Sequence, residues 1–224
     1  MIHFDPVKHV YTNTLTNEKY ISVSTILGKF KSEFDKENIS RFVAQKRGVT
    51  QAEILAEWEK TNNDSKVIGT KIHAILEEYA KNGMVEPENE KLVNEFKKMG
   101  NYTKKAGTLH EQLVYNHQYK IAGTADIIHP DGKYFDVFDI KTNKKFNFFS
   151  GYDKMLKPPL DHFTDCEYNN YSMQLSLYAY LYHLMTGRIV RQLGVFYYDK
   201  IAETFQRYPV AYLKNDVINL LNAR

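Results

Sequence analysis

Across HFDPVKHVYTNTLTNEKYISVSTIL, residues 3–27, apolar and polar positions alternate about a turn at Thr16-Asn17-Glu18. That is the period of a half-buried strand, so the segment predicts a short hairpin before a helix begins at Ser24-Thr25. From Lys36 to Gly100 the spacing lengthens to that of a helix. Ile39, Phe42, Val43 and Lys46 mark a first stripe, and Ile54, Leu55 and Trp58 a second. Ile68, Ile72, Ile75, Leu76 and Tyr79 mark a third, which Asn82-Gly83 ends, and Glu88 to Met99 predicts a fourth with Leu92, Val93 and Phe96 inward.

The period then returns to two. Leu109 to His117, Ile121 to His129 and Tyr134 to Thr142 are rich in Val, Ile, Tyr and Phe and predict three meandering strands. A loop with Pro158-Pro159 leads to a helix over about 170–185, stopped by Gly187; strands at Ile189 to Tyr198 and Phe205 to Val210 and a helix from Leu213 to Asn222 follow. This order predicts an α/β fold, a mixed central sheet flanked by helices with a helical N-terminal region. One domain of 1–224 is expected, with 1–66 as the N-terminal hairpin and helices, 67–200 as the core, and 201–224 as a closing strand and helix.

Composition narrows the chemistry. With 224 residues, 43% of them hydrophobic, the chain can bury a substantial core, and a formal charge of +3 excludes a uniformly basic coat for nucleic acid. Lysines do cluster, at Lys97-Lys98, Lys104-Lys105, Lys141-Lys144-Lys145 and Lys154-Lys157, though such runs are usually solvated faces. The single cysteine, Cys166, excludes an internal disulfide and a four-cysteine cluster built by this chain alone. No apolar run reaches the roughly 18 residues that span a bilayer, and Met1-Ile2-His3-Phe4-Asp5 does not open like a signal peptide. A cytoplasmic setting without a membrane partner is expected.

The hairpin GTADIIHPDGKYFDVFDIKTNKKF, residues 123–146, carries acids where a core element should be apolar. If Asp131-Gly132 is the turn centre, Asp126 faces Val137 and Thr124 faces Asp139, which puts Asp126, Asp139 and Lys141 on one face. The two carboxylates become diagonal neighbours, with Cα atoms roughly 7–8 Å apart. Two such anions repel unless a proton or a cation sits between them, and oxygen ligands suit a hard ion such as Mg²⁺ or Mn²⁺. Lys141, alongside, could orient a water beside a scissile phosphate. An Asp-x-Lys on its own is more often a plain ion pair. On two predicted helices, His73 and Glu77 share one face and Gln174 and Tyr178 another; each pair alone reads as packing.

Taken in order, these pieces resemble the RecB-like branch of the PD-(D/E)xK nucleases. The matching residues are Gly69, His73 and Glu77, then Gly123 and Asp126, then Asp139 and Lys141, then Gln174 and Tyr178. His9-x-Tyr11 and Ser22 to Leu27 are also similar to the N-terminal region of phage and mitochondrial single-strand exonucleases of that branch. The resemblance implies a restriction-endonuclease-like core and a Mg²⁺-dependent deoxyribonuclease, Mn²⁺ being able to substitute, acting on single strands or ends. It implies that His73, Asp126, Asp139 and the Ile140 carbonyl hold the metal and that Lys141 is catalytic with Asp126 and Asp139. Glu77, Gln174 and Tyr178 would position substrate or ligands. With one cysteine, the implied relatives are those without an iron–sulfur cluster, and a phage-encoded form would work in the host cytoplasm. A structure-specific endonuclease and a non-catalytic nucleic-acid binder of the same fold are the alternatives.

Overall fold

The computed structural model describes residues 1–100, 102, 107–151 and 153–223, so the Lys104-Lys105 cluster lies outside the described residues. Eight strands make one mixed sheet with helices on both faces. The chain begins as a three-stranded antiparallel meander, β1 (Ile2–Asp5), β2 (Val10–Asn13) and β3 (Lys19–Ser22), where the sequence predicts only a hairpin. Ser22 then caps α1 (Val23–Gly28) by accepting from the Thr25 amide, two residues ahead of the predicted start.

Helix α2 (Lys36–Arg47) ends at Gly48, whose φ of 66° turns the chain. The second and third predicted stripes turn out to be one helix, α3 (Gln51–Asn82), 32 residues long, which opens with a Thr50–Glu53 capping box. The intervening Thr61-Asn62-Asn63-Asp64-Ser65 holds neither Gly nor Pro, so it interrupts the apolar stripe without breaking the backbone. Residue 66, the expected end of the N-terminal region, lies inside this helix. No residue of α3 between Ile54 and Ile72 is buried, so its first half and α2 form a helical hairpin that stands off the sheet. Helix α4 (Glu90–Lys97) follows and turns Val93 and Phe96 inward.

The sheet continues with β4 (Leu109–Asn116), β5 (Ile121–Asp131) and β6 (Tyr134–Lys141), then α5 (Glu167–Thr186), β7 (Ile189–Asp199), β8 (Thr204–Val210) and α6 (Lys214–Asn222). Helices α1, α5 and α6 cover one face with Ile121, Ala125, Ile128, Val137 and Val195. Helices α3 and α4 cover the other with Ile127, Phe138, Ile140 and Phe196. Burying both faces explains why the central strands read as near-continuous apolar runs.

One feature of the pairing creates the site. Strand β4 runs along one edge of β5 from Asn116↔Ile121 to Leu109↔Ile128. The other edge is therefore shared: β3 pairs with Ile121 and Ala122, and β6 pairs only from Ile127 onward. Residues 123–126, the Gly-x-x-Asp motif, face a break in that edge.

The β5–β6 turn is a correction to the sequence reading. Asp131 pairs with Tyr134, so Gly132-Lys133 and not Asp131-Gly132 is its centre, with Gly132 at φ 58°. Ile127 then faces Phe138, and Asp126 stands level with Asp139 instead of opposite Val137. A shift of two residues alone would keep all three charged residues on one face, but β5 slips between Ala125 and Ile127. The slip takes Asp126 off the face of Asp139 and Lys141, which corrects that expectation, while the Asp139 charge still acts on Asp126.

Candidate metal centre and active site

At the break in the β5 edge the regular alternation slips. Ala125 packs towards α5, but Ile127 packs towards α3 and Ile128 towards α5 again. Opposite, on β4, Glu111 has a left-handed φ of 49°, and the pairing passes from Gln112↔Ala125 to His110↔Ile127 without it. A strained non-glycine backbone beside a slipped strand turns both carboxylates off the sheet faces. Asp126 uses this freedom to accept the Ile140 amide at 2.7 Å through Oδ2, replacing the ladder bond that β5 no longer supplies to β6. The same oxygen lies 3.5 Å from His73 Nδ1, which α3 brings across the opposite face.

Gly69 explains how α3 comes so near. A side chain there would place its Cβ 3.0 Å from Thr142 Oγ1, just beyond β6. One turn on, His73 and Glu77 line a cavity of about 10 Å³ with Glu111, Asp126 and Ile140, room for about one water or ion. Ligand atoms of His73, Glu111 and Asp126 all lie within 4.8 Å of one another. Glu77 is ion-paired with Lys81.

Charge makes the cluster costly on protein groups alone. Burial, then the charges of Asp126, Glu77 and Asp139, push the Glu111 carboxyl up to about 8. Burial and the Asp139 charge push Asp126 up to about 6, against the pull of His73, Lys141 and the Ile140 amide. Carboxyls raised by burial and by neighbouring carboxylates are groups that a cation would stabilise. One imidazole and two carboxylates form a donor set for a metal ion, and the set alone does not select which. The residues present therefore fit a metal ion.

Asp139 and Lys141 lie on the α5 face of β6. Lys141 Nζ is 2.6 Å from Asp139 Oδ2, and its ammonium sits 4.9 Å over the Tyr171 ring. Asp139 is almost wholly buried, and that oxygen has the ion pair but no well-aligned hydrogen bond. Burial alone would lower the Lys141 pKa, but the Asp139 and Asp126 charges outweigh it and hold the ammonium above its usual value. On α5, Gln174 Nε2 donates to the Tyr178 hydroxyl at 3.0 Å. The Tyr178 ring covers Gly123 so closely that a Cβ there would lie 2.6 Å from it.

Thus His73, Asp126, Asp139, Ile140, Lys141, Gln174 and Tyr178 surround one break in the sheet, with Glu77 on its rim. Glu111 is the residue that sequence reasoning missed. Its signal was the next hairpin: with Asn116 opposite Ile121, Glu111 falls level with Asp126.

No protein-family model and no curated protein sequence matches this chain. Among solved structures it is similar to SSO0001, at 17% identity over 93% of this chain and 77% of that one, with a TM-score of 0.43. It is also similar to a proposed exonuclease from Eubacterium rectale, at 12% identity over 92% of this chain and 78% of that one, with a TM-score of 0.45. Neither likeness is close enough to carry chemistry from one chain to the other. No helix among the described residues is long and apolar enough to cross a membrane.

Proposed function

We propose that this chain is a divalent-metal-dependent nuclease of the RecB-like PD-(D/E)xK kind, hydrolysing phosphodiester bonds in DNA. The observation that carries the reading is the convergence of His73, Glu111 and Asp126 beside the Asp139–Lys141 pair. The ordered motifs of the sequence support it independently, since each contributes at least one side chain to the same break.

A phosphodiester resists hydrolysis because an anionic nucleophile must approach an anion. A divalent cation would supply Lewis-acid charge; His73, Glu111 and Asp126 would hold it, and Asp139 and the Ile140 carbonyl would be its further oxygen ligands in this reading. A residue's N–H and C=O leave an extended strand on the same side, so the Ile140 amide bonded to Asp126 implies a carbonyl turned to the same break. Asp139 holds Lys141 in place and the Tyr171 ring limits its movement. As a charged ammonium, Lys141 acts as a donor that orients water and stabilises phosphate charge, and not as the base. Gln174 and Tyr178 fix the α5 side of the break.

Single strands or ends are the proposed substrates. The α2–α3 hairpin stands away from the sheet, and in this reading it is the element that would confine a strand. End-labelled linear and circular single-stranded DNA test this together with the metal. Mg²⁺-dependent shortening of the linear form that EDTA stops, with circles spared, is the expected result. Rapid cutting of circles overturns the exonuclease mode, and cleavage unaffected by EDTA overturns the metal.

A further inference from the structure

The break along the β5 edge opens on its N-terminal side into a second space. A cleft of about 290 Å³ lies between the meander, the start of α1 and the middle of α5. Its wall is aromatic on one side, where Phe4 stacks on Tyr11 at 4.5 Å and 21° between rings. The Tyr11 hydroxyl lies 3.1 Å from Thr124 Oγ1, inside the Gly-x-x-Asp segment. On the other side are uncharged polar groups, the Ser22 and Ser24 hydroxyls 3.0 Å apart and the Gln174–Tyr178 pair.

Two features define the occupant. Glu111 borders both this cleft and the small cavity of His73 and Asp126, so a molecule filling the cleft reaches the metal ligands with one end. No lysine or arginine lines the cleft among the described residues, and the histidine that does, His9, packs edge-on against Phe4 as part of the aromatic wall. The cleft is therefore not built to hold phosphate by a cluster of fixed charge. Hydroxyls and an amide facing an aromatic wall match a sugar and a base, and the volume sits near the lower end of small-molecule pockets, about 300 Å³. A paired nucleotide brings a second nucleoside of similar bulk, for which the cleft has no room. We propose that the cleft receives the sugar and base of one unpaired nucleotide while the attached phosphate is presented to His73, Glu111 and Asp126. This deepens the nuclease reading and rests on it.

The test is calorimetric titration with thymidine 5′-monophosphate and with inorganic phosphate, both in Mn²⁺. Wild type should bind the nucleotide at least about tenfold tighter than phosphate, the gain of a held base and sugar. Ser24→Trp, at an exposed position on the mouth, should remove that preference while leaving Mn²⁺ and phosphate binding in place. Phe4→Ala, a truncation that does not depend on fitting a larger side chain, should narrow it. Equal wild-type affinity for nucleotide and phosphate, or full preference in both variants, overturns the cleft assignment. Absence of metal-dependent DNA cleavage by wild type would instead overturn the nuclease reading, so the two failures are distinguishable.

Discussion

The Ile140 amide donates to the Asp126 carboxylate at 2.7 Å, so a side chain completes the hydrogen bonding of β6 where the ladder to β5 stops. Asp126 is thereby both a structural acceptor and a candidate metal ligand, and two substitutions separate these roles. Asp126→Asn keeps an oxygen for Ile140 but removes the charge. It should fold normally and bind Mn²⁺ at least about tenfold more weakly by calorimetry, because affinity follows ligand charge. Asp126→Ala also leaves the amide unpaired and should lose about 1–3 kcal/mol of stability in denaturant titration.

Stability should depend on pH in an unusual direction. Asp126 is raised from 3.8 to about 6 and Glu111 from 4.5 to about 8, so the folded chain holds protons that the unfolded chain has released. The stability linked to this uptake is fully present below about pH 4 and is lost as pH rises to about 8. Melts in chelator should therefore fall in Tm across that window. Glu111→Gln should flatten the upper part, and Mg²⁺ at pH 8 should restore what was lost.

Gly123 is fixed by contact, since a Cβ would lie 2.6 Å from the Tyr178 ring and 3.1 Å from Val23 Cγ2. Gly123→Ala should cost about 1–3 kcal/mol by overpacking. Because the displaced ring belongs to the Gln174–Tyr178 pair, cleavage rate per folded molecule should fall as well. Thermal melts and single-turnover rates on one preparation check both effects.

Asp136, two residues from the β6 turn and fully buried, is held by Arg191 through Nε at 2.8 Å and through a second nitrogen at 2.6 Å. This pair fastens β6 to β7 and touches none of the site residues. Arg191→Ala should cost about 3–5 kcal/mol by leaving a buried charge unpaired, while the folded fraction keeps its metal affinity. Denaturant titration and Mn²⁺ calorimetry together read it.

Much of this was legible in the sequence. Period-two runs located β5 and β6, and helical spacing placed His73 and Gln174 on elements that pack against opposite faces of them. The register was one residue off in its turn centre because Gly132 belongs to both candidate pairs, and only its positive φ with Lys133 as partner decides between them. The break in the β5 edge was not legible, since it arises from β3 and β6 sharing an edge across a separation of more than a hundred residues. Glu111 was legible only in part: the β4–β5 register sets it level with Asp126, but the left-handed backbone that accompanies its place in the cluster is recorded by no alternation pattern.

The most direct measurement of the central claim is single-turnover cleavage of end-labelled single-stranded DNA in Mg²⁺ by wild type and Lys141→Ala, with Mn²⁺ affinity read on the same samples. If the Asp139–Lys141 pair serves catalysis beside a metal held by His73, Glu111 and Asp126, the variant should be slower by about 10²–10³-fold and still bind Mn²⁺. Cleavage by Lys141→Ala at the wild-type rate would contradict the account.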